Sequence, residues 1–113
     1  MDFPKKGHIW FVSLDPVIGH QVGKRRPAVI ISNDKNNFFA DTVTVLPITS
    51  KTEKIYPFEV LLPKEETGLS KDSKVKCNQI RTIDKKRLVN FVGTLSTERL
   101  KEIKQALLIH LGD

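Results

Sequence analysis

Three side chains in this sequence could together turn over a phosphodiester: Arg26, Thr49 and His20. Arg26 ends the cation run Lys24-Arg25-Arg26 and stands directly before Pro27. A residue before proline is pushed towards extended backbone, so Arg26 belongs at the mouth of a strand rather than on a loose tip. Its planar guanidinium matches two phosphate oxygens at once and stays charged at any working pH. Lys24 and Arg25 add fixed positive charge to the same rim. Thr49 closes the apolar stretch Pro47-Ile48 and is followed by Ser50 and Lys51; beside Arg26 its hydroxyl would donate to a phosphate oxygen. His20 sits in the glycine-bounded loop Gly19-His20-Gln21-Val22-Gly23, and an imidazole titrating near pH ~6.5 suits proton transfer. Each residue also has a plainer reading: a surface arginine in a weak salt bridge, a hydroxyl capping a turn, a solvated loop histidine.

What chemistry remains is narrowed by what is missing. The sequence holds no nucleophile elbow, phosphate-binding P-loop, dinucleotide fingerprint or metal-binding helix. Its single cysteine, Cys77, and its three histidines, His8, His20 and His110, show no metal-ligand spacing. Neither a metal nor a cofactor is expected. Cleavage of RNA by its own 2′-hydroxyl needs neither. It needs a group to draw off the hydroxyl proton, one to stabilise the crowded phosphate and one to protonate the leaving 5′-oxygen. The net charge of +6 over 113 residues and a pI near 9.6 favour anionic partners, with solubility alone as the competing explanation. No apolar run is long enough to span a bilayer, and no signal peptide precedes the first strand, so a cytoplasmic protein with no membrane partner is expected.

The elements that must position these residues are mostly short strands. The runs 8–14, 27–32, 41–48, 57–62, 74–77, 79–83 and 88–95 are rich in β-branched and aromatic residues and are separated by turn signals. Asn33-Asp34-Lys35-Asn36-Asn37 reads as a turn cluster, and residues 63–70 as a polar excursion with one helical turn closing at Gly68. Alternation along 74–77 sends Val75 and Cys77 inward and Lys74 and Lys76 outward. The period then changes. Behind Ser96, a good N-cap, Leu100, Ile103, Leu107 and Leu111 recur at helical spacing, and Gly112 suits the position after the last turn. The expectation is one domain over 1–113, mainly β with a C-terminal helix, its short strands curling into a small barrel.

In sequence order, these segments resemble the MazF/PemK family of toxin–antitoxin ribonucleases. The carrying stretches are Gly7-His8-Ile9-Trp10-Phe11-Val12 with Leu14-Asp15-Pro16, Gly19 through Arg26-Pro27-Ala28, Pro47-Ile48-Thr49-Ser50, Pro57-Phe58-Glu59-Val60, and Gly68-Leu69 leading to Asp72-Ser73. The most specific is Cys77-Asn78-Gln79-Ile80-Arg81-Thr82-Ile83-Asp84, followed by Arg87-Leu88. The resemblance implies an SH3-like β-barrel of the MazF/PemK/CcdB type with a C-terminal helix, a homodimer, and a metal-independent endoribonuclease. The substrate would be single-stranded RNA, cut to leave a 2′,3′-cyclic phosphate and a 5′-hydroxyl. The partner would be a cognate antitoxin whose acidic tail blocks the groove. The family's catalytic arginine and threonine fall on Arg26 and Thr49. Ser50 falls where some members carry a second hydroxyl, and His20 where certain plasmid-borne members carry a histidine.

Two positions depart from the family pattern. Gln21 and Asn78 stand where many relatives have carboxylates, and an amide is no useful base at neutral pH. That leaves His20 as the base, or a site in which phosphate stabilisation dominates. Gln21, Lys76 and Asn78 are then read as RNA contacts. Two other classes fit a basic groove: a non-catalytic toxin of the same barrel that inhibits DNA gyrase, and a simple RNA-binding barrel. The pairing of Arg26 with Thr49 favours the nuclease.

Overall fold

A computed structural model describes residues 3–13 and 25–112. It contains seven strands and two α-helices: β1 (His8–Ser13), β2 (Arg25–Ile30), α1 (Asp34–Phe39), β3 (Thr42–Thr49), β4 (Glu59–Leu62), β5 (Ser73–Lys76), β6 (Arg81–Asp84), β7 (Leu88–Thr94) and α2 (Thr97–Leu111). The molecule is therefore mainly β with a C-terminal helix. The strands hydrogen-bond in the order β4-β5-β3-β2-β1-β7, all antiparallel, and β6 also pairs with β3. Among the described residues no ladder joins β4 to β7, so the hydrogen-bonded sheet is open.

Alternation along the strands divides the core into two clusters. Val29, Leu46, Ile48, Val60 and Val75 point to one face, which α2 covers with Ile103 and Ala106. Ala28, Ile30, Val43, Val45 and Ile83 point to the other, with Trp10 and Leu88 packed against them. Because successive side chains leave a strand on opposite sides, a central strand apolar on both sides needs cover on both. Helix α2 forms as its pattern predicts. Ser96 Oγ accepts from the Arg99 amide at 3.2 Å, and Gly112 ends the helix with a φ of 83°, a region that favours glycine. Leu111 departs from the pattern: it lies in the last turn and is exposed.

Two sequence-based expectations are corrected. The Asn-rich stretch after Ser32 is not a turn but the start of α1. Asn33 caps it by accepting from the Asn36 amide at 2.8 Å, and Asn37 is fully buried, donating to the Ser32 carbonyl at 2.8 Å. Asn is favoured at caps and neutral to poor inside helices, so a cluster of it reads as a turn until its tertiary partners are known. Lys74, expected outward, is buried instead, its ammonium 2.8 Å from Glu59 Oε1.

The feature that shapes the site is a change of partner along β3. On one edge, Thr42–Val45 pairs with β6, and then Ile48–Thr49 pairs with β5. Between the two ladders lie Leu46 and Pro47, and Pro47 has no amide hydrogen to donate. The sheet forks there, with the link from β5 to β6, residues 77–80, bridging the gap.

Candidate functional site at the strand fork

The fork opens into a cleft of about 540 Å³ lined by Arg26, Pro47, Ile48, Thr49, Lys51, Lys76, Gln79, Ile80 and Arg81. Register accounts for the assembly. On the β2–β3 ladder Ala28 faces Pro47, Val29 faces Leu46 and Ile30 faces Val45. Continuing that register two residues towards the strand mouths sets Arg26 opposite Thr49, and directly opposed residues share a face. Arg81 faces Val45 across the β3–β6 ladder, which puts it on the same face. Lys76 and Lys74 alternate with Val75 on β5, so they too leave on this side. The cleft is thus the polar end of the face whose middle is the second apolar cluster.

Among the lining residues four are cations and none is a carboxylate. Thr49 is half-buried. Its Oγ1 accepts from the Lys51 amide at 3.2 Å, so the turn-capping reading of this hydroxyl is correct as geometry. It does not exhaust the group: the bond uses a lone pair and leaves the hydroxyl proton to donate. The same bond fixes the rotation of Thr49 and sets the start of the turn that carries Lys51.

Behind the cleft lies a buried ion pair. Lys74, the cross-strand neighbour of Thr49, donates to Glu59 Oε1 at 2.8 Å and to the Lys54 carbonyl at 2.7 Å. Glu59, the cross-strand neighbour of Lys76, also accepts from the Tyr56 amide at 2.9 Å. Burial alone would raise the Glu59 carboxyl. The Lys74 and Tyr56 hydrogen bonds and the charges of Lys74 and Lys76 outweigh it, and the group sits below its ordinary value. Cys77 lies just beyond β5, fully buried. Burial, with the Glu59 charge adding to it, pushes its thiol up to about 11, so it stays protonated and inert at neutral pH.

The structure brings together Arg26, Thr49 and Lys76 from the sequence-predicted set. Arg25 lies one residue along β2 from Arg26, so its side chain leaves on the opposite face; Arg25 and Ser50 are exposed and do not line the cleft. Asn78 does not line it either, and its Oδ1 is buried without a partner among the described residues. His20, Gln21 and Lys24 lie outside the described residues. Lining residues that carried no assigned role in the sequence are Lys51, Gln79, Ile80 and Arg81. Gln79-Ile80-Arg81 belongs to the most specific family-like segment, and Lys51 follows the two strand-end hydroxyls, so both signals were present without the fold that unites them. No group of three or more His, Cys, Asp or Glu side chains among the described residues is placed to hold a metal ion, and no described helix is long and apolar enough to cross a membrane.

Fold and cleft together define a small, basic, mainly β protein with a cationic cleft at the fork of its sheet. A family model for the PemK-like, MazF-like toxin of type II toxin–antitoxin systems matches residues 5–111, and the chain belongs to that family. It is 42% identical over 112 residues to the endoribonuclease MazF9 of Mycobacterium tuberculosis, covering 95% of each chain. Its fold is similar to the crystal structure of MazF from Deinococcus radiodurans, with a TM-score of 0.80 at 30% identity over the whole of both chains. A MazE–MazF structure from the same organism matches with a TM-score of 0.80 at 31% identity, covering 96% of each chain.

Proposed function

We propose that this protein is the toxin of a type II toxin–antitoxin system, acting as a metal-independent endoribonuclease on single-stranded RNA. The observation that carries the reading is the meeting of Arg26 and Thr49 from neighbouring strands in one cleft whose lining holds cations and no carboxylate. The 42% identity to an endoribonuclease across nearly the whole chain supports it.

In this mechanism the scissile phosphate sits between the Arg26 guanidinium and the Thr49 hydroxyl. The substrate's 2′-oxygen attacks the phosphorus, and negative charge builds on the equatorial oxygens. Preorganised donors aimed at that charge supply the largest share of the rate. Arg26 stabilises it and the charge developing on the 5′-oxygen, which leaves as the P–O bond breaks and takes its proton from water; Thr49 donates to a second oxygen. Lys51, Lys76 and Arg81 hold flanking phosphates, and Gln79 and Ile80 present a polar and an apolar edge to an unstacked base. His20 is proposed as the base for the 2′-hydroxyl, with Gln21 and Lys24 on the same substrate. Arg25 and Ser50, both exposed, are assigned to RNA outside the cleft.

The reading extends to assembly. Residues 1–113 act as a single toxin domain whose open ladder curls, through the two-sided core, into the family's SH3-like barrel. The toxin works in the cytoplasm as a homodimer and is silenced by an acidic antitoxin laid over the cationic cleft; the MazE–MazF structure of a relative supports an antitoxin partner. The test is to incubate purified protein with a single-stranded RNA oligonucleotide in chelator and identify the new ends. The expected products carry 2′,3′-cyclic phosphate and 5′-hydroxyl. Dependence on magnesium, or 5′-phosphate ends, would overturn the mechanism.

A further inference from the structure

We propose that the buried Glu59–Lys74 ion pair is a positioning clasp for the Thr49–Lys51 corner of the cleft, an inference that rests on the endoribonuclease reading for its kinetic consequence. Three bonds define it. Lys74 Nζ reaches Glu59 Oε1 at 2.8 Å and the Lys54 carbonyl at 2.7 Å, and Glu59 Oε1 accepts from the Tyr56 amide at 2.9 Å. One carboxylate and one ammonium therefore hold two separate points, Lys54 and Tyr56, of the segment 50–58 that joins β3 to β4. The Tyr56 ring closes over the clasp: Lys74 Nζ lies 5.7 Å and Lys54 Nζ 5.1 Å from its centroid, and it stacks on Phe58 at 5.3 Å.

The segment starts at the cleft. Thr49 is both the cross-strand neighbour of Lys74 and the acceptor for the Lys51 amide. Without the clasp the segment would be tied at Thr49 and next only where the Glu59 amide donates to the Tyr56 carbonyl at 2.9 Å and the Cys77 amide to the Phe58 carbonyl at 3.2 Å, so the stretch carrying Lys51 would lose its hold at Lys54. With it, the span left to move is short. Glu59 is not itself a base: its side chain is 2% exposed, and Oε1 already takes two donors. It acts through Lys74 and the turn, by holding Lys51 and the Thr49 hydroxyl in one geometry, and small displacements of such groups cost rate steeply.

The test compares the wild type with Glu59→Gln and with the double variant Glu59→Gln/Lys74→Met. Replacing a buried ion pair by well-packed hydrophobic residues of similar volume is often neutral for stability; here methionine supplies that packing and removes the ammonium that holds Lys54, and glutamine keeps an acceptor for the Tyr56 amide. We expect the double variant to keep a Tm near that of the wild type yet lose kcat on single-stranded RNA by roughly tenfold or more, with KM nearly unchanged. Its Lys51 amide should exchange with solvent faster, while the Tyr56 amide, for which a glutamine carbonyl at position 59 remains an acceptor, and those of β2 and β7 keep their protection. A double variant with wild-type kcat and unchanged exchange at Lys51 would overturn the clasp. If the double variant does not fold, Glu59→Asp decides: it keeps the charge but withdraws it by one methylene, and unchanged kcat and Lys51 exchange would again overturn the proposal. If the wild type cuts no RNA, it is the nuclease reading that fails, and the exchange rates still decide the clasp.

Discussion

The molecule treats its cations in two opposite ways. On the helix side, Arg99 of α2 is gripped by Glu66 through Nε at 2.8 Å and a second nitrogen at 3.0 Å, and by Glu102 at 3.0 Å. Hydrogen bonding to Glu66 first, then Glu102, drives its basicity well above the ordinary arginine range, and the Arg99 hydrogen bond lowers the Glu66 carboxyl. On the fork side, Arg26, Lys51, Lys76 and Arg81 line a cleft to which no carboxylate contributes. Arg99 spends its fork on joining α2 to the 3-10 turn at Lys64–Glu66. Arg26, Lys51 and Lys76 border the cleft with no carboxylate among its described lining residues. Lys74 and Lys76 repeat the contrast within one strand: two residues apart and on one face, the first is buried against Glu59 and the second lines the cleft. Charge closed within the protein fastens elements, and charge left facing a cleft is what an RNA backbone can use.

Substitutions can break or sharpen this contrast. Arg26→Ala should lower turnover on single-stranded RNA by on the order of a thousandfold while Tm and circular dichroism stay unchanged; little loss of turnover would remove Arg26 from the site. Glu59→Ala, on the closed side, strands Lys74 as an uncompensated buried charge and should cost roughly 3 kcal/mol of stability in urea unfolding. The sign of its pH dependence follows from the lowered Glu59 carboxyl. The stabilisation is fully present above the unfolded carboxylate value of about 4.3 and is lost as pH falls through the lower folded value. The stability gap between wild type and variant should therefore narrow below pH ~4; a gap that stays constant would show that the charge is not what holds the pair. Thr49→Val should reduce kcat about tenfold, with the Lys51 amide losing its acceptor. Glu66→Gln should move least: this exposed pair contributes little, so Tm shifts by about a few degrees at most and turnover is unaffected. A loss of turnover there would show that the two regions are not separate.

Much of the scaffold was legible in the residues. The β-branched runs located seven strands because a pleated, half-buried surface favours them, and the change to helical period with Ser96 in front located α2. Arg26 and Thr49 were legible as strand-end residues, since the neighbouring prolines fix where the backbone runs, and the structure sets both in the lining of one cleft. Lys74 was not. Period-two alternation sorts lysines outward, and the partner that makes burial tolerable stands on another strand. Helix α1 was hidden because its asparagines prefer turns unless a buried partner claims them, as the Ser32 carbonyl claims Asn37. The contribution of Gln79, Ile80 and Arg81 depends on β3 exchanging β6 for β5 along one edge, a long-range fact that no local pattern encodes.

The central claim is that Arg26 and Thr49 hold a phosphate so that the RNA's own 2′-oxygen cuts it. It is tested most directly by two oligonucleotides that differ in one atom, the 2′-oxygen of the nucleotide at the scissile step, incubated with the protein in chelator. The all-ribose strand should be cut, and the strand with the single deoxy sugar should survive intact at that step while still binding in competition. Cleavage of the deoxy strand at the same position would contradict it.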